Sequence, residues 1–363
     1  MTTLISFIIL LGILIFVHEL GHFLAARMSG VGVQKFSLGF GPKIIGRTIG
    51  ETEYVLSWIP LGGYVKLMGE SGTEELSPED EKRSFARQNV WKRIMIVAAG
   101  PAFNFLLAVV IFIAVMMYGL PTLTSDIGEV QKDSAAYQAG MLNGDKIIYL
   151  DGKKIALWEE IRDVVARAKD RQIEAVVQRG KETVRLQITP KLSKSKNLFG
   201  EDVSAYLIGV SPAGQTVIER KSPVDAVVSS VAKTWEISKL TVISVIKIFE
   251  GVISPKTLGG PIFIAQVAGA QVREGIIPFV LFMAILSINL GVINLFPIPV
   301  LDGGHILFYL IEVVTRREVS AKVREMSQQI GFVVLLMLML FVIFIDIERL
   351  NIKFVNDVVK FFK

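Results

Sequence analysis

Two histidines and a glutamate open the chemistry of this chain. They stand in His18-Glu19-Leu20-Gly21-His22. On a helix, residues four apart project from one face, one turn above the other. His18 and His22 can therefore grip one metal ion, and Glu19 can reach a water on the same ion. Zinc-assisted hydrolysis needs this set: imidazole nitrogens, an open coordination position and a base. The spacing is the helix signature of zinc-dependent peptide hydrolysis. Its setting is unusual, because the motif sits in an apolar run from about Leu4 to Ala26, close to the roughly 20 residues a bilayer requires. Ionisable residues on a membrane-spanning helix are costly, so a functional reading is the default. The bland alternative is a chance match with both histidines packed or solvated.

A second stretch carries the remaining candidates: Asn294-Leu-Phe-Pro-Ile-Pro-Val-Leu-Asp-Gly-Gly-His305. It interrupts an apolar segment with two prolines, two glycines, an aspartate and a histidine. Irregular backbone at membrane depth is tolerated only where it is buried in protein or lines a cavity. Asp302 can complete a two-histidine, one-carboxylate site with water in the fourth position. His305, the last of three histidines in 363 residues, is the competing ligand.

Composition bounds the elements that must position these groups. Hydrophobic residues make up 52% of the chain and the mean hydropathy is +0.52, too high for an ordinary soluble protein. With no cysteine, disulfides, cysteine nucleophiles and thiolate metal sites are excluded. The formal charge of +5 gathers near membrane edges and reads as topology, not nucleic-acid binding. The N-terminus lacks a basic n-region and its apolar run continues into the metal motif, which argues against a cleavable signal peptide.

The expected fold is an α-helical multi-pass membrane protein with about four spans, a membrane-associated β-element and an inserted α/β domain. Residues 1–120 form a first membrane half. After the first span, Val31 to Met68 is glycine-rich and alternating, which reads as strands turning at Pro60-Leu-Gly-Gly63. Glu70 to Arg93 is polar, with an acidic part (Glu74, Glu75, Glu79, Asp80, Glu81) read as a solvated loop. Its basic end abuts a second span, Ile94 to Leu120. Pro121 to Val130 has no Lys or Arg. The positive-inside rule then puts residues 28–93 in the cytoplasm, with the metal motif toward that side. Residues 201–277 read as a linker and amphipathic surface helices, including Pro223 to Gly251. Residues 278–346 form the second membrane half, with spans at Pro278–Phe296 and Gly331–Ile345 and a charged loop at Thr315–Gln329. The basic tail, 347–363, fits an amphipathic surface helix (Leu350, Phe354, Val355, Val358, Phe361).

Residues 122–200 are mixed polar, with strands around a helix. Their core, Ala139-Gly-Met-Leu-Asn-Gly-Asp-Lys-Ile-Ile-Tyr-Leu-Asp-Gly152, resembles the corresponding stretch of PDZ domains. Asn143-Gly-Asp145 and Asp151-Gly152 would make turns, and Trp158 to Ala168 would be the helix walling a peptide groove. Such domains bind extended peptide tails by adding a strand to a sheet edge. A small domain acting only as a steric plug over the outward face is the alternative.

His18-Glu19-x-x-His22 together with Asn294-x-x-Pro297-x-Pro299-x-Leu301-Asp302-Gly303 resembles the site-2 protease family of intramembrane zinc metalloproteases. So do Gly100-Pro101-x-x-Asn104, Leu258-Gly-Gly-Pro-Ile262 and the PDZ-like insertion. The resemblance covers essentially the whole chain and is strongest to the branch of bacterial sigma-E regulators, although only one PDZ-like domain is evident where well-known members have two. It implies one catalytic zinc ion held by His18, His22 and Asp302, with Glu19 catalytic. It also implies substrate binding by Asn294, with Pro297 and Pro299 of the same motif. The implied partners are the lipid bilayer and single-pass membrane proteins, either an anti-sigma factor or remnant signal peptides, cleaved in the bacterial inner membrane. Asn104 and Asn289 read as interhelical hydrogen-bonding groups, and His305 as a supporting residue. Two rivals remain at this level. One is a catalytically inactive zinc-binding scaffold with a peptide-binding module. The other is a zinc transporter, for which the other spans offer almost no ligands.

Overall fold

The structure, a computed structural model, describes residues 2–70, 76–197 and 199–350. The chain opens with α1 (Thr2–Met28), β1 (Val33–Ile49), β2 (Thr52–Leu67), the short α2 (Pro78–Glu81) and α3 (Val90–Tyr118). Then come β3 (Leu120–Leu123), β4 (Ile127–Val130), α4 (Ala135–Gln138), β5 (Lys146–Leu150), β6 (Lys153–Lys154) and α5 (Trp158–Ala168). Six strands follow: β7 (Ile173–Arg179), β8 (Glu182–Ile188), β9 (Lys191–Lys196), β10 (Asp202–Leu207), β11 (Val210–Pro212) and β12 (Thr216–Glu219). The last part is helical: α6 (Pro223–Phe249), α7 (Pro261–Glu274), α8 (Ile276–Asn294), α9 (Asp302–Thr315) and α10 (Ala321–Arg349). These elements form two compact units. One holds Met1–Ile113, Val227–Ile248 and Ser254–Lys363; the other holds Ala114–Ala226 and Phe249–Ile253.

Among the described residues, four helices are long and apolar enough to cross a membrane: α1, α3, α8 and α10. The chain is thus a multi-pass membrane protein. Two boundaries differ from expectation. The charged stretch expected as a loop up to Gln329 is helical from Ala321, because its Lys, Arg, Glu and Gln residues are good helix formers. The break before the third span lies at Gly275, with φ +135°, and Pro278 falls in the first turn of α8, where a missing N–H costs nothing. The acidic-loop residues Glu74 and Glu75 and the tail residues Phe354, Val355, Val358 and Phe361 lie outside the described residues.

The β-element of the first unit is more folded than a hairpin. Its turn is Gly50-Glu51, not Pro60-Leu-Gly-Gly63, with Gly50 at φ +64°. Residues 35–38 pair with 53–56 on one side and, from Val33, with 63–67 on the other. The Pro-Leu-Gly-Gly segment is the bend that lets β2 return along β1, because Pro60 has no N–H to keep the first pairing going. The strand at 63–67 is therefore an outer strand of this sheet. Ile44, Ile45, Ile49 and Trp58 are exposed on the other part of it.

Two apolar clusters hold the helices of this unit. Leu10 and Leu14 of α1 pack with Ala268 of α7 and with Phe279 and Met283 of α8. Phe23 and Ala26 pack with Val33, Phe36, Leu67, Phe85, Ile96 and Tyr309. Thr241 of α6 donates to Asn289 Oδ1 of α8 at 2.8 Å, the interhelical bond expected of that asparagine. Leu258-Gly-Gly-Pro-Ile262 starts α7, and the start is capped from a distance. The buried Asp346 carboxylate of α10 accepts from the backbone N–H groups of Gly260, Ile262 and Phe263, each at 3.0 Å. It satisfies donors that a helix N-terminus leaves open.

In the second unit, a four-stranded antiparallel sheet runs in the order β6-β5-β7-β8. Strand β7 buries Ile173, Ala175 and Val177 in strict alternation. Helix α5 buries Ile161, Val164, Val165 and Ala168, at helical spacing, and both faces meet in one core. Residues 201–219, expected as linker, are built into strands. Hairpin β9–β10 leads to β11, which pairs with β4, and to β12, which pairs with β3. Gly200, Gly209 and Gly214, all at positive φ, make the turns between these short strands.

Candidate metal centre

His18 and His22 lie one turn apart on α1, both largely buried. Close approach of α3 seals them in. A Cβ on Gly21 would run into the carbonyl of Ala99, and one on Gly100 would run into the His22 ring. Only glycine at both positions lets the helices cross at this depth.

Asp302 arrives from the other end of the chain. Leu295 to Leu301 form a compact turn in which Ile298 N–H bonds to Phe296 and Leu301 N–H to Ile298. Pro297 and Pro299 stop α8 from continuing. Asp302 is the first residue of α9, where the helix N-terminus favours a carboxylate.

The three side chains converge. His18 Nε2 and His22 Nε2 are 3.2 Å apart. Asp302 Oδ2 is 3.2 Å from His18 Nε2, and Oδ1 is 3.6 Å from His22 Nε2. Ligands about 2.0–2.1 Å from a tetrahedral ion lie about 3.3 Å from one another, so these spacings fit one zinc ion. Asp302 Oδ2 is also buried with no hydrogen-bond partner, as expected of an oxygen whose partner is a cation. Among the described residues, this is the group of histidines and carboxylates able to hold a metal.

Helix α3 supplies the support behind the candidate ligands. His22 Nδ1 lies 2.9 Å from the Ile96 carbonyl and donates to it, which leaves Nε2 free for the metal. Asn104 presents its side-chain amide 3.1 Å from His18 Nδ1, and its Oδ1 is buried without a partner. The atom facing His18 Nδ1 is the amide nitrogen; a histidine that binds metal through Nε2 carries its proton on Nδ1, which calls for the flipped amide, with Oδ1 accepting. Ser287 of α8 in turn donates to the Asn104 carbonyl at 2.7 Å. The expected interhelical role of Asn104 is therefore incomplete: its side chain touches a candidate ligand, His18. No spacing rule could show this, since the two residues are 86 apart in sequence.

The site opens into a cavity of about 880 Å³. Glu19, His18, His22 and Asp302 line it, together with Gly63 and Tyr64 of the outer strand and Asn294 at the end of α8. A Cβ on Gly63 would lie 2.9 Å from Glu19 Cγ, so the strand passes directly beside the glutamate.

The profile of peptidase family M50 matches residues 6–338. The chain belongs to that family. It is a metalloprotease, and its cofactor is zinc. Relatives include a Rhizobium meliloti protein named "Putative zinc metalloprotease", 36% identical over 96% of this chain and 97% of the relative. A Campylobacter jejuni protein of the same description is 35% identical over 94% of this chain and 92% of the relative. The "Regulator of sigma-E protease RseP" of Salmonella typhimurium is 32% identical over 96% of this chain and 98% of the relative. That alignment runs to 445 positions, longer than the chain, so the relative carries inserted sequence.

Of the residues expected to bind substrate, Asn294 lines the cavity, whereas Pro297 and Pro299 are not among its lining residues. Pro299 packs against Gly304 and Gly331 instead. His305 lines the cavity but lies outside the converging group.

Proposed function

We propose that the chain is an intramembrane endopeptidase that cleaves within the membrane segments of single-pass proteins, with His18, His22 and Asp302 as zinc ligands and Glu19 as the base. The observation that carries this reading is the convergence of three ligand atoms, on helices of a membrane protein, at the mutual spacing of a tetrahedral site. Bound zinc supplies Lewis acidity to a peptide carbonyl and makes water a nucleophile near neutral pH. Glu19 takes the proton from that water and hands it to the leaving amine. A membrane helix hides its carbonyls in its own hydrogen bonds, so the substrate must first unwind. The outer strand at 63–67 then receives it by edge pairing, as β-strand addition does elsewhere, and Asn294 binds its backbone. Exposed Ile44, Ile45, Ile49 and Trp58 give this sheet an apolar face suited to the membrane.

The second unit serves as a PDZ-like filter on the outer side of a bacterial inner membrane, and the metal site faces the cytoplasmic side. Strand β5, lying between the Asn143–Asp145 and Asp151–Gly152 segments, and helix α5 after it support this reading. Substrates whose external part is already trimmed pass; an anti-sigma factor and remnant signal peptides both fit that description. The inactive-scaffold alternative requires Glu19 to be dispensable.

Membrane proteomics of cells carrying wild-type protein or Glu19→Gln tests the reading. Uncut single-pass proteins should accumulate in the variant while the protein keeps its zinc. Identical membrane proteomes would sink the protease assignment in favour of the scaffold.

A further inference from the structure

One ligand does not come from α1. His18 and His22 are fixed to each other by helix geometry, but the position of Asp302 depends on how α9 docks. Two helix faces bear on this. On α3, Arg93, Ile96, Gly100 and Asn104 follow steps of three, four and four residues and so share one face. Three of them contact the histidines: Ile96 and Gly100 meet His22, and Asn104 meets His18. On α9, Asp302, His305, Tyr309 and Glu312 follow steps of three, four and three and also share one face.

These faces are joined at the end away from the metal. Arg93 Nη2 donates to Glu312 Oε1 at 2.5 Å, with the two side chains only 8% and 18% exposed. The Arg93 guanidinium carbon lies 4.8 Å from the centre of the Tyr309 ring. Tyr309 is itself buried and meets Phe85 edge-on at 6.3 Å. A guanidinium held by a carboxylate and an aromatic face is a directional contact, since both partners fix its plane. Glu312 lies ten residues beyond Asp302, about 15 Å along the helix. A change in the docking at that distance swings the N-terminal end of α9, where the ligand sits.

We infer that Arg93 and Glu312 are positioning residues for the metal centre: their ion pair, with Tyr309 beneath it, sets where α9 presents Asp302 to the two histidines. This rests on the three-ligand reading given above. It adds that the helix carrying the histidine supports also carries the anchor for the third ligand.

The test uses the purified full-length protein in detergent, with zinc alone as the probe. Affinity is measured by competition with a chromophoric chelator, and cobalt-substituted protein reports coordination geometry by its visible spectrum. Glu312→Gln keeps the shape and removes the charge. It should weaken zinc binding about tenfold or more, the range seen when groups supporting a ligand are lost, and it should alter the cobalt spectrum. Combining Arg93→Glu with Glu312→Arg should recover part of what either reversal loses alone. If Glu312→Gln fails to fold, Arg93→Lys keeps the charge but loses the planar fork, and a smaller loss of affinity is expected. Wild-type zinc affinity and cobalt spectrum in a folded variant without the pair would overturn the inference. Wild-type protein that takes up no zinc would instead overturn the three-ligand reading.

Discussion

The two units of this chain bury polar groups for different ends. In the membrane unit, buried His18, Glu19 and Asn104 and largely buried Asp302 crowd one place, and a buried Asp302 oxygen lacks a hydrogen-bond partner. In the inserted unit, the buried carboxylate of Asp145 is fully served. It accepts from Arg179 Nε and Nη2, both at 2.8 Å, and from the Leu142 N–H at 2.9 Å. Arg179 also reaches the Gly140 carbonyl at 2.8 Å. A saturated carboxylate stabilises a fold, whereas one left open in a cluster of imidazoles is shaped for a ligand. Burial alone does not separate the two, and neither does one unpartnered oxygen, since Ser125 Oγ and Asp126 Oδ2 of the inserted unit also lack a hydrogen bond; the crowding of the Asp302 carboxylate with two imidazoles does.

That contrast can be broken at its strongest point first. Asp302→Ala removes one of the three proposed ligands, so purified protein should lose its stoichiometric zinc by metal analysis and all measurable proteolysis. Full zinc occupancy in this variant would assign the third ligand elsewhere. Asn104→Ala removes support but no ligand. Zinc affinity should fall about 10–100-fold while Asn104→Asp, which keeps an oxygen acceptor for His18 Nδ1, retains more of it. Equal affinity in all three proteins would return Asn104 to a purely interhelical role.

The smallest effect on the metal belongs to Asp145→Asn. Loss of a charge-assisted pair should destabilise the inserted unit by about 2 kcal/mol and leave zinc content unchanged. Reduced zinc content would blur the distinction between the units. The pH dependence has a definite sign. Burial pushes the Asp145 carboxyl up, but the Arg179 and Leu142 donors outweigh it and hold the group below the usual carboxylate range. A carboxyl depressed by folding stabilises at pH above its unfolded value. That contribution disappears as pH falls below the ordinary aspartate value of about 3.9 and through the lower folded one. Hydrogen exchange in this unit should therefore show an acid-dependent loss of protection that Asp145→Asn reduces.

The parts legible in sequence were those written in local spacing. His18 and His22 are related by one helical turn, and four spans follow from apolar runs of sufficient length. Helix α5 and the Asn143–Asp145 turn follow from periodicity and turn residues. What spacing could not carry was pairing between distant segments. The Asn104 contact with His18 depends on two helices crossing at Gly21 and Gly100, and the Asp346 cap on α7 joins residues 86 apart. The strands at 191–219 are short, so only their pairing, β9 with β10, β11 with β4 and β12 with β3, distinguishes them from linker. The bend of β2 at Pro60 reads as a turn in the sequence because proline and glycine mark both kinds of break.

The central claim is that two imidazoles and the Asp302 carboxylate hold one zinc ion. Zinc K-edge X-ray absorption on the purified wild-type protein measures this most directly. The expected spectrum is a four-coordinate site with two imidazole nitrogens and the remaining donors oxygen, at about 2.0–2.2 Å. A site with three imidazoles, or one whose spectrum survives Asp302→Ala unchanged, would contradict it.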